Sequence, residues 1–266
     1  LIFGLLGFPA MGVQGAAIAT VIGQIGAFLL YIVVYLHKNP GVTIHPRYLK
    51  LNWPLIRRIY SVGIPSSLML MMPSLLVSAL NGILAAFSEV YVAVLGVYFK
   101  LQTFIYMPAN GMVQGMRPII GYNYGAGQYG RVRQTIRYCL MGAAVLMLIG
   151  TVLSLAIPGG ILQLFQADAE LLAAGETALR VISLGFLVST VGVVFSGVFE
   201  ALGRGGESLA ISLLRQLVIT VPLGFVLSRV LGAVGIWIAF PVSELIASVA
   251  ALILLKRYRN GEFFPF

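Results

Sequence analysis

The sequence predicts an all-α protein with seven membrane-spanning helices. Its 266 residues are 59% hydrophobic and only 9% charged, and the mean hydropathy is +0.99, which leaves too little polar side chain to cover a soluble globule. Apolar runs of about 20 residues, the length that crosses roughly 30 Å of hydrocarbon as a helix, recur along the chain. A transmembrane barrel would instead need shorter strands of alternating polarity. We place the spans near residues 12–36, 61–86, 90–116, 138–158, 178–200, 209–228 and 233–255.

The basic residues predict the orientation of these helices. Most of the 17 Lys and Arg residues lie in or near the connections on one side of the membrane: Lys38, Arg47, Lys50, Arg57, Arg58, Arg117, Arg131, Arg133, Arg137, Arg204, Arg215, Lys256, Arg257 and Arg259. The other side has Arg180 and Arg229, and Lys100 lies inside a span. By the positive-inside rule the basic side and the C-terminus are cytoplasmic. Because the basic clusters lie between apolar runs, we expect them to contact anionic membrane lipid rather than nucleic acid.

The first and last spans resemble each other, which suggests an internal repeat. "GVQGAAIATVIGQIGAFLLY" and "GAVGIWIAFPVSELIASVAA" align without a gap, so that Gln24 meets Glu244. The repeat predicts a last helix of one lobe at 1–36, a cytoplasmic connector at 37–60, a complete six-helix lobe at 61–256 and a cytoplasmic tail at 257–266. With a cytoplasmic C-terminus residue 1 would lie outside, and we expect a piece of a twelve-span protein built from parallel repeats, as in some transporters.

Two ionisable side chains lie deep inside predicted spans, where charge is costly and indicates a functional site. Lys100 and Glu244 are both about ten residues from the outer ends of their spans, roughly 15 Å deep. We therefore expect them to face the same interior cavity and to pair. Glu244 would either accept a coupling proton or cation, or form a fixed ion pair between two helices.

Polar side chains continue along the third span, where they would line a cavity or hydrogen-bond to other helices: Gln102, Asn110 and Gln114. Weaker candidates for the same pathway are Asn81, Gln24, Arg215, Met69 and Met72. Arg215 lies only a few residues into the sixth predicted span, so we expect it to extend to the inner headgroups. The two methionines would form an adaptable substrate surface or ordinary core.

The spacing G-x-G-x-x-G occurs once, at Gly125, Gly127 and Gly130. A dinucleotide site would need a strand before this motif and an acid about 20 residues after it, and the sequence offers neither. We expect no nucleotide, and interpret the stretch as a cytoplasmic connector between two membrane helices. No catalytic constellation or pair of close His ligands is evident, so we expect neither enzyme activity nor a cofactor.

Several motifs together resemble the MATE (multidrug and toxic compound extrusion) family, particularly its bacterial branches. They are "RPIIGYNYGAGQYGRVR", "GIPSSL", "YFKLQTFIYMPANGMVQG", "SLLRQ", "PVSE" and "GVQGAAIAT". The resemblance implies a twelve-helix antiporter of the bacterial inner membrane. Its two six-helix lobes would surround a central cleft, and it would export cationic or amphipathic drugs and metabolites in exchange for sodium ions or protons.

The coupling-ion site of that family cannot be transferred to this sequence by resemblance. Its acids lie in the first helix of the N-terminal lobe, or in helices that correspond to the second and fifth spans here. Those two spans have no acid in mid-membrane, because Glu200 is at the inner end of the fifth span and Glu89 lies outside. Two other functions stay open: a flippase for lipid-linked oligosaccharide or another lipid, and a non-transporting membrane protein.

Overall fold

The computed structural model describes residues 9, 11–38, 50–165 and 167–259, and every regular element in these ranges is helical. The elements are α1 (Gly12–Lys38), α2 (Trp53–Leu84), α3 (Glu89–Gly125), α4 (Tyr129–Ala156), α5 (Pro158–Gln163), α6 (Ala169–Ala201), α7 (Gly205–Leu213), a π-helical turn (Leu214–Val218), α8 (Thr220–Leu231) and α9 (Ala233–Arg259). Seven helices are long and apolar enough to cross a membrane, with α7, the π-helical turn and α8 together forming one of them. The predicted all-α fold with seven spans is therefore confirmed, and the chain is a multi-pass membrane protein.

Most of these helices extend beyond the apolar runs that reveal them. For example, α2 begins at Trp53 rather than near residue 61, and α4 begins at Tyr129 rather than near residue 138. Backbone hydrogen bonds hold a helix together whether its side chains are apolar or polar, so polarity marks the hydrocarbon boundary and not the helix end. Side-chain caps begin two helices: the Ser88 hydroxyl accepts from the Val90 N–H and the Asp168 carboxylate from the Leu171 N–H.

The predicted connector around the glycine motif is largely helical. Helix α3 continues to Gly125, only residues 126–128 form a turn, and Gly130 already belongs to α4. Gly127 adopts φ +70, a left-handed conformation that suits glycine because it has no Cβ. Its N–H donates to the carbonyl of Tyr124, and the next N–H, of Gln128, donates to that of Asn123. The glycine therefore ends α3 instead of forming a phosphate-binding loop.

Residues 1–52 and 53–266 form separate compact units. In the second unit α6 is the central helix, because it packs against α3, α4 and α9, and more of its membrane window is buried than that of any other span. Large aromatic side chains fill the core beside it, among them Tyr98, Phe186 and Trp237. Helices α6 and α9 lie close, since a Cβ on Gly185 would come within 3.0 Å of the Pro241 Cα.

Candidate functional site

Two adjoining cavities lie among the helices of the second unit. Cavity A, of about 650 Å³, is bounded by α2, α3, the π-helical turn and α9. Cavity B, of about 380 Å³, is bounded by α2, α3, α6, α7 and the π-helical turn. The two cavities share Pro73, Asn110, Arg215 and Gln216. A cavity of this size inside a helical bundle suits a small organic ligand.

The structure brings most of the predicted site residues to these cavities. Gln102 and Glu244 line cavity A, Gln114 and Met69 line cavity B. Asn110 and Arg215 line both. The polar face expected on the third span is therefore a cavity lining rather than only an interhelical contact.

Lys100 is an exception, and its predicted pairing with Glu244 is wrong. Its side chain is exposed, and it is not among the described residues that line either cavity. Successive residues of a helix turn by about 100°, so Lys100 and Gln102 point roughly 160° apart. Lys100 and Glu244 were paired because their predicted depths in the membrane are equal. Depth alone does not determine the direction in which a side chain points from its helix, and Lys100 points away from the cavity.

Three weaker candidates lie outside the cavity linings that the structure describes. Met72 is 5% exposed and belongs to the core of the bundle, as the ordinary-core alternative expected. Asn81 is half-buried on α2, one turn beyond Ser78 and not among the residues described as lining either cavity. Gln24 lies on α1, in the separate unit of residues 1–52.

Glu244 pairs instead with Arg215, across a distance of 3.7 Å between Oε1 and Nη1. The side chains are only 13% and 19% exposed, so the expected extension of Arg215 to the headgroups is wrong. The guanidinium instead lines both cavities inside the bundle. A guanidinium buried there needs an anionic partner, and Glu244 provides it.

A second ion pair, which the sequence analysis missed, lies at cavity B. Arg117 Nη2 is 2.6 Å from Glu200 Oε2, and Arg117 Nη1 donates to Gln114 Oε1 at 3.0 Å. The Ser208 hydroxyl donates to Glu200 Oε1 at 3.2 Å. These contacts join α3, α6 and α7. The signal in the sequence is that Arg117 directly follows the predicted third span and Glu200 ends the predicted fifth span, so that both lie near the same end of their spans.

The described residues offer no metal centre, because none of their His, Cys, Asp and Glu side chains form a group of three that could hold an ion. What the site provides is hydrogen-bonding side chains and two ion pairs beside apolar walls. Such an arrangement recognises organic molecules by charge, hydrogen bonding and apolar contact.

The fold and the cavities define a multi-pass helical membrane protein with a ligand-sized space inside its bundle. The MatE family model matches residues 65–226, which is more than half of the chain. The chain therefore belongs to the MatE family.

Similar proteins agree with this assignment. Multidrug export protein MepA of Staphylococcus haemolyticus (strain JCSC1435) is 26% identical over 260 residues, which cover 98% of this chain and 56% of the relative. The solved structure of the MATE multidrug transporter DinF-BH is 32% identical, with a TM-score of 0.85, over 100% of this chain and 58% of that one. An outward-facing MATE family transporter of the MOP superfamily, 24% identical with a TM-score of 0.86 over 96% of this chain and 58% of its own, shares the fold. The chain thus spans about half the length of the relatives it matches.

Proposed function

We propose that this protein is a secondary active efflux transporter that exports cationic or amphipathic organic compounds by alternating access, in exchange for sodium ions or protons. Cavity A carries the proposal: it is a space of about 650 Å³ lined by both apolar and polar side chains, within the range of about 300–1,000 Å³ typical of small-molecule sites. Membership of the MatE family and similarity to proteins named multidrug exporters support it.

The proposed architecture has twelve membrane helices in two lobes of six. This chain would contribute the last helix of one lobe (1–36), a connector (37–60), the second lobe (61–256) and a tail (257–266). The relatives, of which the chain covers 56% to 58%, leave room for five further helices. The protein would lie in a bacterial inner membrane with its C-terminus in the cytoplasm, where its basic residues contact anionic lipid.

Antiport is the part of the proposal that rests on family resemblance. Among the described residues, α2 has no acid, and the acids of α6 are Glu170 and Glu176 near its start and Glu200 near its end. Within this chain we propose Glu244 as the coupling residue, because it lines cavity A. The alternative is that coupling belongs to the proposed other lobe.

An accumulation assay tests the proposed export. Cells that lack their own efflux pumps and carry the intact gene should accumulate less of a permeant cationic dye than cells without it. Collapse of the proton gradient by an ionophore, or removal of external sodium, should restore accumulation. If dye accumulation is reduced but does not respond to either gradient, the antiport mechanism is contradicted. If no cationic or amphipathic dye shows reduced accumulation, export itself is contradicted.

Two asparagines offer a matched pair of variants for the same assay. Asn110→Leu removes a polar group that both cavities share and should weaken export. Asn81→Leu makes the same change on α2, at a residue that is not among those described as lining either cavity, and should leave export close to the wild-type level. Equal effects of the two variants, at equal amounts of inserted protein, would show that the cavity is not the route.

A further inference from the structure

We propose that cavity A binds amphipathic zwitterions, with the acidic group of the ligand on Arg215 and its ammonium group on Glu244. The inference deepens the export function proposed above and rests on it, since it names a substrate class for one of the two cavities. The argument starts from the state of the ion pair in the cavity wall.

The pair between Arg215 and Glu244 is incomplete as a hydrogen-bonded contact. The distance of 3.7 Å between Nη1 and Oε1 exceeds the usual N–H···O range of about 2.7–3.2 Å. Arg215 Nη1 and Glu244 Oε2 are both buried without a hydrogen-bond partner among the described residues. Buried polar atoms are normally satisfied. The pair therefore retains one donor and one acceptor without a partner, and a ligand with the complementary groups can satisfy both once the two side chains turn these buried atoms toward cavity A.

The charges of the cavity favour a ligand that has both signs. Arg215 and Glu244 are the charged residues among those described as lining cavity A. A ligand with a single charge would be attracted by one partner and repelled by the other. Pairing with only one of them would also leave the second without a counter-ion inside the membrane, which is costly. A zwitterion satisfies both at once, because a guanidinium donates to an acidic group and a carboxylate accepts from an ammonium.

The remaining walls of cavity A suit the body of an amphipathic molecule. Phe99, Phe240 and Leu76 provide apolar surface, and Gln102 and Asn110 provide hydrogen-bonding groups. Aromatic rings favour contact with flat or aromatic ligands. The volume of about 650 Å³ exceeds what the two charged groups of a ligand need, so the ligand would carry a sizeable apolar part.

The backbone that carries Arg215 is itself unusual. Arg215 lies in the π-helical turn Leu214–Val218, a widened form of helix that is frequent at functional sites. The Ile219 N–H donates to the Leu214 carbonyl at 3.2 Å, and the hydroxyl of Thr220, which is 1% exposed, donates to the Arg215 carbonyl. These bonds fix the position in the span from which the guanidinium reaches Glu244.

Three fluorescent probes that share one dansyl group test the inference on the purified intact protein. Nε-dansyl-lysine is a zwitterion, dansylcadaverine lacks the carboxylate and has a single positive charge, and N-dansyl-6-aminohexanoate lacks the amine and has a single negative charge. The zwitterion should bind about tenfold or more tightly than either relative, the ratio that one additional charged hydrogen bond supplies. Equal binding of the three probes would overturn the proposal.

Variants assign each charge of the ligand to its residue. Arg215→Gln should weaken the binding of the zwitterionic and the anionic probe but not that of the cationic probe. Glu244→Gln should weaken the binding of the zwitterionic and the cationic probe but not that of the anionic probe. Arg229→Gln, on α8 and outside the described lining of cavity A, is the matched control and should change none of them. An equal loss of all three probes in both single variants would overturn the assignment.

A double variant that exchanges the two charges distinguishes loss of the binding site from misfolding. Arg215→Glu combined with Glu244→Arg keeps both charges in the cavity and should retain the preference for the zwitterion; loss of that preference in folded protein would count against the proposal. Lysophosphatidylethanolamine, whose headgroup is also zwitterionic, identifies the source of the ligand. Its displacement of the bound probe would indicate a lipid headgroup, and persistence of the probe would indicate a free solute.

The probe assays measure binding to the purified protein and do not depend on transport. A negative accumulation assay therefore leaves the probe preference standing, whereas equal probe affinities remove the zwitterion site and leave export as a separate question.

Discussion

Arg117 and Glu200 form a short ion pair, at 2.6 Å between Nη2 and Oε2. The carboxylate is 12% exposed and the guanidinium 32%, so the pair is partly buried. Arg117 Nε has no hydrogen-bond partner in the described structure. The guanidinium therefore depends on Glu200 and Gln114, and removal of the negative charge would leave a partly buried cation with little compensation.

The Glu200→Gln variant should lower the stability of the protein by roughly 1–3 kcal/mol, because a partly buried charge loses its counter-ion. The measurement is the midpoint of thermal unfolding in detergent. Glu176→Gln is the control, since its pair with Arg180 is more open, at 3.3 Å with side chains 38% and 55% exposed. Exposed pairs of this kind contribute less than about 1 kcal/mol. Equal shifts for the two variants would show that burial of the Arg117 pair is not what matters.

The ion pairs also show how far the sequence could predict the site. An acid at position 244, in an apolar run, was visible as a costly charge in need of a partner. The identity of the partner was not, because it depends on where each helix begins and how it is rotated. Arg215, near the predicted start of its span, looked close to the headgroups, whereas its side chain is rotated into the cavities. Lys100 looked suitable only because depth was compared without rotation.

Helices α6 and α9 are held together by contacts that depend on small residues. A Cβ on Gly185 would come within 3.0 Å of the Pro241 Cα and 3.4 Å of its Cβ. Further along the same two helices, the Ser248 hydroxyl donates to the Val188 carbonyl at 2.8 Å. Small residues permit such close approach in membrane bundles, where dispersion and interhelical hydrogen bonds replace the hydrophobic effect as the driving force.

The Gly185→Ala variant should therefore separate α6 from α9 and destabilise the protein by about 1–3 kcal/mol, the usual cost of overpacking a closely packed contact. Gly192→Ala is the matched control on the same helix. The atom nearest to a Cβ at that position is Ser248 Oγ at 3.8 Å, an ordinary van der Waals distance. Thermal unfolding of both variants measures the difference. A Gly185→Ala protein as stable as the wild type would show that the helices can move apart without cost.

The sequence predicted the number of membrane helices better than the residues at which each helix begins and ends. All seven spans were recognisable, because about 20 apolar residues in succession have few alternatives. The extra turns at the starts of α2, α4 and α6 carry polar residues and so did not register as membrane helix. The π-helical turn at Leu214–Val218 had no signal in hydropathy, since one additional residue within a span leaves its composition unchanged.

The whole molecule distributes its basic residues unevenly between the two ends of the bundle. The turn after α3 is followed by Arg131 and Arg133, and the turn after α6 contains Arg204. The connections at 85–88 and 157–168 have neither Lys nor Arg. Successive spans run in opposite directions, so these two sets of connections lie at opposite ends. The positive-inside rule assigns the first set to the cytoplasm.

Cysteine labelling tests that orientation. Ala86→Cys, in the turn between α2 and α3, should react with a membrane-impermeant maleimide in intact cells. Gln128→Cys, in the turn between α3 and α4, should react only after the membrane is permeabilised, because it lies near the basic end that we propose to be cytoplasmic. The single cysteine of this chain, Cys139, is buried, and the unmodified protein, labelled in parallel, gives the background. The reverse pattern would invert the proposed topology, and labelling of both variants in intact cells would contradict the crossing of α3 through the membrane.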